Sequence, residues 1–534
     1  MASAIPEHPH SGGEHTLAFA GVQSLDFLSP HMIPVASIVF IALVVAVIHL
    51  AISRLLFHPL ANVPGPALAA LSTWYEFYHD VIRNGRYVKR VESMHEEYKS
   101  PVVRVGPNLV HVNDPEVFKK VFAIASPFLK PKFFYSSAGL PKAIGAMTDP
   151  KKHHVRRSIL GPRFSPKAIA SYTDSLVKQV MLCAESMACR ARLGAVIEMP
   201  RYTRAVTVDV ISEFTFGRSF GMINDSPEEP PLLRDLSTFT KQFHLCKHLP
   251  IYRWILGRVP ESLAYKMMPG YYQMLEKVTA SVKELVAEHN AGKRQPAKPG
   301  EGTVIDLLLT PRPEKNHDLP GPGVLVDEGC AFIVGGSDTT GYTMEGATYL
   351  LLSHPQALQR LRTDLEDALP SIQHFDLQRI LNLPFLTAVI KETLRLYTPT
   401  PPLIPRTVPP NGITVDGHFI PGGTIISVSL YLIHHNPALF SDPKSFRPER
   451  WLGSEGKELE QYYVPFSRGT RSCIGMNLAY HEIYTFLAIL FSRFEMETVD
   501  TGEAEMEWFD NMLARRMGPV KIRLLKDRWS GEVF

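Results

Sequence analysis

Residues 32–52 form an almost unbroken apolar run, MIPVASIVFIALVVAVIHLAI. As an α-helix this run would be about 32 Å long, which matches a membrane hydrocarbon core of about 30 Å. Cleaved signal peptides have a basic start and a shorter apolar run, and neither feature is present here. A buried core helix is the other alternative. The sequence therefore predicts one N-terminal transmembrane helix, with the anchor at residues 32–53.

The charges on the two sides of this run are unequal. Glu7, Glu14 and Asp26 precede it without any Lys or Arg, whereas Arg54 follows it directly. Positive charge beside a membrane helix favours the cytosolic side. We therefore expect residues 1–31 to be a lumenal tail and the rest of the chain to face the cytosol.

The residues after the anchor indicate a short hinge and one large domain. Pro59, Pro64 and Pro66 make residues 54–66 a stiff, non-helical hinge. The chain is 45% hydrophobic and 20% charged, as soluble domains are, and it has no internal repeat or long low-complexity linker. Its net charge of +3 gives no overall field suited to nucleic acid. Residues 67–534 are therefore predicted to form a single catalytic domain.

The hydrophobic patterns indicate a mainly α-helical domain with a minor antiparallel β-sheet region. Short hairpins are predicted at residues 102–112 and 413–420, each with apolar residues on both sides of a turn that contains Gly. The longest helix is predicted at residues 324–353, about 45 Å. It carries Gly335 and Gly336 in its interior. Because each glycine costs about 1 kcal/mol relative to alanine, we expect a packing or ligand reason for them.

The chain has five cysteines and no C-x-x-C pair, so neither a disulfide framework nor a zinc site is expected. This usage fits a reducing compartment, where a special cysteine is more often a reactive or iron-binding thiolate. Cys473 stands in FSRGTRSCIG, before an apolar helix predicted at residues 477–491. A helix N-terminus lowers the pKa of a thiol, while Gly469 and Gly475 allow the backbone to approach a planar cofactor. A lone cysteine beside apolar residues is nevertheless more often inert core.

Phe466, Gly469, Arg471, Cys473 and Gly475 complete the pattern F-x-x-G-x-R-x-C-x-G, which resembles the haem-binding loop of the cytochrome P-450 monooxygenases. The resemblance implies that Cys473 is the axial thiolate ligand of a haem b iron, and that the thiolate favours O–O cleavage of bound oxygen. It also implies that Arg471 pairs with a haem propionate. The implied architecture is the mainly helical cytochrome P-450 fold.

Three further charged residues resemble a family element. Glu392 and Arg395 stand three residues apart in KETLRLYTPT, and Arg450 lies in the later segment FRPERW. On its own the first pair is an ordinary helix ion pair worth a few tenths of a kcal/mol. By resemblance the three form a buried structural network that holds the cysteine loop in register. Removing one member of such a network strands the others, at a cost of several kcal/mol.

Two other segments resemble propionate-binding elements of the family. His153 and Arg157 match W-x-x-x-R with His in the aromatic position, and Arg406 in PLIPRTV matches a later arginine. The alternative for each arginine is a solvated surface position.

The two glycines of the long helix belong to the segment GGSDTT, which resembles the family's oxygen-binding groove. Gly335 and Gly336 remove side-chain bulk, so that oxygen can fit against the helix. A Thr339 hydroxyl beside an Asp338 carboxylate can relay protons, which makes these two the predicted catalytic residues. The alternative is that Thr339 only donates to a helix carbonyl and that Asp338 caps a kink.

The resemblance implies a monooxygenase that uses O₂ and supplied electrons to hydroxylate or epoxidise a hydrophobic small molecule. About sixty residues follow Cys473, too few for a fused flavin domain of ordinary size. The expected electron donor is a separate, membrane-bound NADPH-dependent flavoprotein reductase, with a small haem protein as an additional donor. The microsomal type of the family implies a single-pass protein of the endoplasmic reticulum membrane.

The first third, with LLFHPLANVPGPALAALSTWYEFYHDV, is similar to filamentous-fungal members that decorate terpenoids and other secondary metabolites. An apolar pocket is expected. Its candidate lining residues are Phe133, Phe134, Tyr135, Phe332, Leu403 and Ile404. Two other functions stay open: a haem-thiolate isomerase or dehydratase that needs no external electrons, and a non-catalytic haem- or sterol-binding membrane protein.

Overall fold

The computed structural model describes residues 32–224, 226, 228–256 and 258–534, so the predicted tail at residues 1–31 lies outside the described residues. The described part is mainly helical. Its α-helices are α1 (Met32–Ile52), α2 (Ala67–Leu71), α3 (Trp74–Phe77), α4 (Tyr87–Tyr98), α5 (Pro115–Val121), α6 (Lys132–Tyr135), α7 (Pro150–Leu160), α8 (Pro166–Ala170), α9 (Thr173–Arg192), α10 (Met199–Phe216), α11 (Pro231–His248), α12 (Pro250–Leu256), α13 (Glu261–Met267), α14 (Pro269–Asn290), α15 (Val304–Leu308), α16 (Pro322–Ser353), α17 (Pro355–Ala368), α18 (Leu377–Leu381), α19 (Pro384–Leu396), α20 (Leu430–His434), α21 (Gly453–Leu459), α22 (Met476–Arg493) and α23 (Glu503–Met506).

The strands form small sheets at the margins of this helical body. They are β1 (Val102–Gly106), β2 (Leu109–Val112), β3 (Ile197–Glu198), β4 (Ile404–Thr407), β5 (Ile413–Val415), β6 (His418–Ile420), β7 (Ile425–Val428), β8 (Phe494–Thr498), β9 (Trp508–Asn511), β10 (Leu513–Arg516) and β11 (Lys521–Asp527). One sheet has the order β1-β2-β7-β4, another the order β3-β11-β8, and β5-β6 and β9-β10 are hairpins. Only the pair β2-β7 is parallel among the described strands. The predicted fold class and both predicted hairpins are confirmed.

The apolar helix α1 is exposed from Ser37 to Leu50, and the helical stretch Ser37–Phe57 is long and apolar enough to cross a membrane. It continues past the predicted boundary at residue 53 through one π-helical turn, Ser53–Phe57, because the first proline comes only at Pro59. The end of this helix is fixed to the domain, since Arg104 Nη1 donates to the Arg54 carbonyl at 2.8 Å. Among the described residues, one apolar helix therefore precedes the domain, as predicted.

The longest helix, α16, has 32 residues and packs against α10, α14, α19 and α22 in the largest buried core. Its two central glycines have different surroundings. A Cβ atom on Gly336 would lie 2.6 Å from an Ile211 side-chain carbon, so glycine is needed there for the contact with α10. A Cβ atom on Gly335 would meet nothing within 4 Å. One glycine thus permits helix packing, and the other leaves open space beside α16.

Candidate active site

A mostly apolar cavity of about 410 Å³ lies between the middle of α16 and the loop before α22. Cys473 is exposed to this cavity, whereas the other four cysteines are buried or half-buried. Six other predicted site residues also line it: Phe466, Arg471, Gly475, Gly335, Gly336 and Thr339. The fold therefore brings the cysteine loop and the glycine-threonine segment of α16 to one space.

The cysteine loop is held by its own backbone. The Cys473 N–H donates to the Phe466 carbonyl at 2.9 Å, and the Ser472 N–H donates to the Gly469 carbonyl at 3.1 Å. Gly469 has φ +71°, and a Cβ atom there would lie 2.4 Å from the Phe122 carbonyl oxygen. Glycine is therefore required at this position by the close approach of another chain segment, which differs from the expected approach of a cofactor.

The environment of the thiol differs from the sequence prediction. α22 begins at Met476 with Gly475 as its N-cap, so Cys473 lies just outside the helix. Burial raises the pKa of the Cys473 thiol, while a hydrogen bond from the Gly475 N–H and the Arg157 guanidinium lower it. The predicted net lowering by the helix N-terminus is wrong, because desolvation is the largest effect. A thiolate here needs a bound cation, and coordination to a metal deprotonates a thiol outright.

Four cationic side chains gather beside the cavity: Arg157, Arg406, Arg471 and Lys130. Arg471 and Arg157 each donate to a backbone carbonyl at 2.7 Å, and the second of these carbonyls belongs to Ser472. Burial and the neighbouring Arg406 and Arg471 guanidiniums hold the pKa of Lys130 well below its usual value. None of the four forms an ion pair within the part of the chain that the structure describes. Among the described residues, no carboxylate therefore lies within salt-bridge distance of these four cations.

These unmatched cations, together with a thiol that opens into an apolar cavity, fit a planar cofactor that carries carboxylates. Haem, with its two propionates, meets both requirements. Lys130 was missed from the sequence, where LKPKFF shows only a cation between apolar residues. No short-range spacing links Lys130 to Arg406 or Arg471, so only the tertiary fold places them together.

His153 lies within this basic region on α7. α7 begins at Pro150, because the N-cap residue Asp149 accepts hydrogen bonds from the Lys151 and Lys152 N–H groups. His153 is buried, and burial together with nearby cations, Arg471 first, lowers its pKa to about 3. The imidazole is therefore neutral at physiological pH.

Glu392, Arg395 and Arg450 form one fully buried network, called here the Glu392 cluster. Arg395 donates to both carboxylate oxygens at 2.8 and 2.9 Å, and Arg450 Nε donates at 3.0 Å. The Trp451 indole and the Arg447 backbone N–H donate at 2.8 and 3.0 Å. The remaining guanidinium groups donate to backbone carbonyls of residues 434–445. The cluster therefore ties α19 to the segment that leads to the cysteine loop.

Thr339 faces the cavity, but its hydroxyl is already engaged. Its Oγ1 donates to the Gly335 carbonyl at 2.9 Å, within the same helix. This is the local hydrogen bond considered as the alternative to a proton relay. It also keeps the hydroxyl beside the open space that Gly335 leaves.

Asp338 lies on another side of α16 and does not line this cavity. Arg204 Nε donates to one carboxylate oxygen at 2.9 Å, and Arg515 Nη2 donates to the other at 2.7 Å. Despite burial, these two guanidiniums hold the pKa of Asp338 below its usual value. This Asp338 cluster, formed by Asp338, Arg204 and Arg515, borders a second cavity of about 220 Å³. No hydrogen bond joins the Asp338 carboxylate to the Thr339 hydroxyl among the described residues.

The predicted substrate-facing residues divide into two groups. Phe332 and Ile404 line the main cavity, and the Phe332 ring stacks on Phe164 at 5.6 Å. The other four lie elsewhere: Phe133, Phe134, Tyr135 and Leu403. Tyr135 accepts a hydrogen bond from Arg406, and Leu403 packs in a separate apolar cluster.

Comparison with protein families supplies the identification. The family model for cytochrome P450 matches residues 71–524. The chain belongs to the cytochrome P-450 family. This P-450 is 57% identical over 442 residues to the cytochrome P-450 monooxygenase penB of Penicillium thymicola, covering 83% of this chain and 99% of the relative. It is 59% identical over 441 residues to asqL of Emericella nidulans, another cytochrome P-450 monooxygenase, covering 82% and 91%.

The fold has a match among solved structures. The crystal structure of the cytochrome P-450DA heme domain superposes with a TM-score of 0.70 at 18% identity, covering 88% of this chain and 99% of that one. At this identity the likeness shows the fold alone. Together with the curated fungal relatives, the family match shows that this P-450 is a monooxygenase, an oxidoreductase that incorporates oxygen. The family implies a haem-thiolate cofactor, O₂, a substrate and a redox partner.

Proposed function

We propose that this P-450 hydroxylates or epoxidises a hydrophobic small molecule, with haem b held by Cys473. One observation carries the proposal. The Cys473 thiol opens into an apolar cavity that Gly335 and Thr339 also line, and unmatched cations lie beside it. When bound, haem supplies the iron that activates O₂ with two electrons and two protons, so that one oxygen enters the substrate and the other leaves as water.

The residues around the cavity would hold the cofactor in complementary ways. Cys473 Sγ would be the iron ligand, and the iron would supply the positive charge that stabilises the thiolate against desolvation. Arg157, Arg406, Arg471 and Lys130 would bind the propionates, which supply the missing negative charge. Neutral His153 would pack at the same edge, and the Glu392 cluster would keep the loop in place.

Thr339 and Asp338 have separate parts in the proposed proton supply. Thr339 holds a hydroxyl beside the open space at Gly335, where it can donate a proton in exchange for its bond to the helix carbonyl. Asp338 is ionised and bound by two arginines, on the side of α16 that borders the second cavity. Proton transfer between them therefore requires water or a side-chain rotation, because no direct bond exists.

The substrate class follows from the cavity and from the relatives. The cavity is mostly apolar, and Phe332, Ile404 and Leu513 contribute large apolar side chains. Such a lining favours a hydrocarbon-rich skeleton. Because curated relatives are fungal monooxygenases and the N-terminal third resembles enzymes of terpenoid pathways, we propose a terpenoid or related secondary metabolite.

Electrons would come from a separate NADPH-dependent reductase, with a small haem protein as an additional donor. The proposed docking face is the one that carries the cysteine loop, where Lys151, Lys152 and Arg468 are exposed. Positive charge there suits an acidic partner surface. The apolar helix α1 would hold both proteins in one membrane, which we propose is that of the endoplasmic reticulum with the domain in the cytosol.

The test is expression of the full chain with a fungal NADPH reductase, a panel of terpenes and fatty acids, and ¹⁸O₂. We expect a product that gains one labelled oxygen and depends on NADPH. Cys473→Ser should abolish it together with the carbon monoxide band of a thiolate-ligated haem, whereas Cys189→Ser, at a half-buried site, should keep both.

Two results would contradict the proposal. An unlabelled, isomerised or dehydrated product formed without NADPH would identify the electron-free reaction. An intact haem-thiolate band with tight ligand binding, but no NADPH-dependent O₂ uptake with any compound, would identify a binding protein.

A further inference from the structure

A second group of buried charges lies outside the lining of the main cavity. Asp80, His244 and Asp510 are each at least nine-tenths buried, and Lys247 and Glu76 extend the group. They are supplied by α3, by the π-helical turn Tyr78–Ile82 that follows it, by the last part of α11 and by the strand β9. Nothing in the proposed oxygen chemistry uses these residues.

Asp80 is the centre of this group. Its Oδ2 atom lies 2.5 Å from Lys247 Nζ, 3.0 Å from His248 Nε2 and 3.3 Å from His244 Nδ1. Lys247 Nζ also lies 2.8 Å from Glu76 Oε1. Three side chains of α11 therefore converge on one carboxylate of the segment that follows the membrane helix.

His244 reaches the C-terminal hairpin with its other ring nitrogen. Nε2 lies 2.8 Å from the Asp510 backbone carbonyl and 3.7 Å from Asp510 Oδ1. Both His244 Nδ1 and Asp510 Oδ1 are buried without a hydrogen bond of good geometry. His244 is thus the one side chain among the described residues of the group that spans between Asp80 and Asp510.

The two segments that contact His244, residues 78–85 and the strand β9, are joined to each other by backbone hydrogen bonds. The Gly85 N–H donates to the Asp80 carbonyl at 2.8 Å, and the Asp510 N–H donates to the Gly85 carbonyl at 2.9 Å. α11 contacts these two segments through its side chains. It can therefore separate from them without breaking a backbone ladder, once the side-chain contacts of His244, Lys247 and His248 are released.

α11 also contacts segments that flank the main cavity. The Phe243 ring meets Phe134 edge to face at 5.4 Å, and α11 packs against β9 of the hairpin whose Leu513 lines the cavity. We propose that protonated His244 is a latch that holds α11 closed against residues 74–82 and the β9-β10 hairpin, and so limits entry to the cavity. The limit on entry rests on the proposed function, because it takes the main cavity as the substrate site.

A bound metal is the competing interpretation, because Asp80, His244 and Asp510 offer ligand atoms within 4.8 Å of one another. The ammonium of Lys247 already occupies the Asp80 oxygen at 2.5 Å, where a dication would be repelled. Three carboxylates face one lysine in this group, so a proton on His244 improves the charge balance. The site favours a proton over a metal ion.

The titration of His244 agrees with this geometry. Although burial opposes it, Asp80 and Asp510 raise the pKa of His244 to about 10. The other charged or titratable groups facing the cluster are Glu76 and Tyr87 from the N-terminal segment and Lys247 and His248 from α11. A raised pKa means that the latch is fully formed below about pH 6.5 and is lost as the pH rises through about 10.

The experiment is hydrogen exchange of the full-length protein in detergent, read at residues 231–248 after correction for the intrinsic pH dependence of exchange. His244→Phe should raise the exchange rate of α11 about tenfold or more, and His248→Phe, which cannot reach Asp510, should raise it far less. Wild-type α11 should also loosen between pH 8 and pH 10, and the His244→Phe protein should not. Unchanged exchange in His244→Phe, or an alkaline loosening that survives the substitution, overturns the latch.

Three further measurements test a milder variant, entry to the cavity and the presence of a metal. Asp510→Asn, a smaller change, should raise α11 exchange about threefold even if His244→Phe folds poorly, and no change would also overturn the latch. Imidazole should bind the haem faster in the same variants; faster exchange with an unchanged binding rate would remove the gating part. If the purified protein held stoichiometric zinc and EDTA increased the exchange of α11, a bound metal rather than protonated His244 would hold the helix, and the latch would be overturned. Exchange can be read even if no haem-thiolate band forms, so failure of the proposed function is a separate result.

Discussion

The Glu392 cluster and the Asp338 cluster contain the same chemistry, one buried carboxylate bound by two arginines, but they differ in how completely their polar groups are satisfied. Glu392 accepts five hydrogen bonds, and Arg395 and Arg450 are fully buried with their remaining groups bound to carbonyls. Asp338 accepts one bond from each arginine beside a cavity, and Arg515 Nε has no partner. A closed network fixes structure, whereas an open one leaves a carboxylate able to exchange partners with water.

The largest expected effect comes from opening the closed network. Glu392→Gln leaves Arg395 and Arg450 buried without an anion, and we expect a loss of about 3–5 kcal/mol in the free energy of unfolding. The measurement is the yield of folded protein and its carbon monoxide band. Glu460→Gln, at an exposed partner of Lys391, is the matched control and should change little. A stable, haem-loaded Glu392→Gln protein would show that the two clusters do not differ as described.

A substitution that keeps the charge tests the geometry of the same network. Arg395→Lys preserves the cation but loses the paired donation to Glu392 and several bonds to carbonyls. We expect a destabilisation of about 2–4 kcal/mol, read by thermal unfolding. Equal stability of the variant and the wild type would mean that charge alone, rather than the guanidinium fork, holds the cluster.

A substitution in the Asp338 cluster should lower the rate of turnover without preventing folding. Asp338→Asn keeps the shape of the side chain and removes the charge, so we expect a normal carbon monoxide band and about a hundredfold slower turnover. The measurement is NADPH-dependent product formation at equal haem content. Unfolding of this variant to the same degree as Glu392→Gln would remove the distinction between the clusters.

Thr339 tests whether the Asp338 cluster serves the cavity. Thr339→Ala should keep NADPH consumption while product falls about tenfold and peroxide rises, because the proposed proton donor is gone. The double variant with Asp338→Asn should be little worse than the worse single variant if both act in one relay. Independent, multiplying losses would mean that the two residues act separately.

The smallest expected effect is at the rim of the open cluster. Arg515→Lys keeps one cation beside Asp338 at a position that is partly exposed. We expect about 1 kcal/mol or less in stability, measured by thermal unfolding, which is well below the loss for Arg395→Lys. Similar losses at both sites would show that the cavity beside Asp338 does not relax that cluster.

Much of the site could be predicted from short-range pattern. The residues of the cysteine loop stand within ten positions of the chain, and Glu392 and Arg395 share one turn of a helix, so their spacing carries the information. The same reasoning erred where three-dimensional surroundings decide. It expected the helix N-terminus to lower the pKa of Cys473, yet desolvation outweighs the hydrogen bond from Gly475.

The structure also differs from the sequence prediction for two adjacent residues. Asp338 and Thr339 are neighbours in sequence, which suggested a direct acid–alcohol pair. On an α-helix, however, successive side chains point about 100° apart, so the two face different cavities. Arg204 and Arg515, which bind Asp338, lie more than a hundred residues away and had no sequence signal.

The sequence by itself determined the family, the helical fold with its N-terminal apolar helix, the cysteine loop and the Glu392 partners, because each rests on local spacing or on the length of an apolar run. Only the tertiary structure decided which cations surround the cavity, where Asp338 points and how His244 joins α11 to two distant segments. The physical reason is that burial and electrostatic partners are properties of packed surfaces. Lys130, Arg515 and His244 acquire their roles only when remote parts of the chain come within hydrogen-bonding distance.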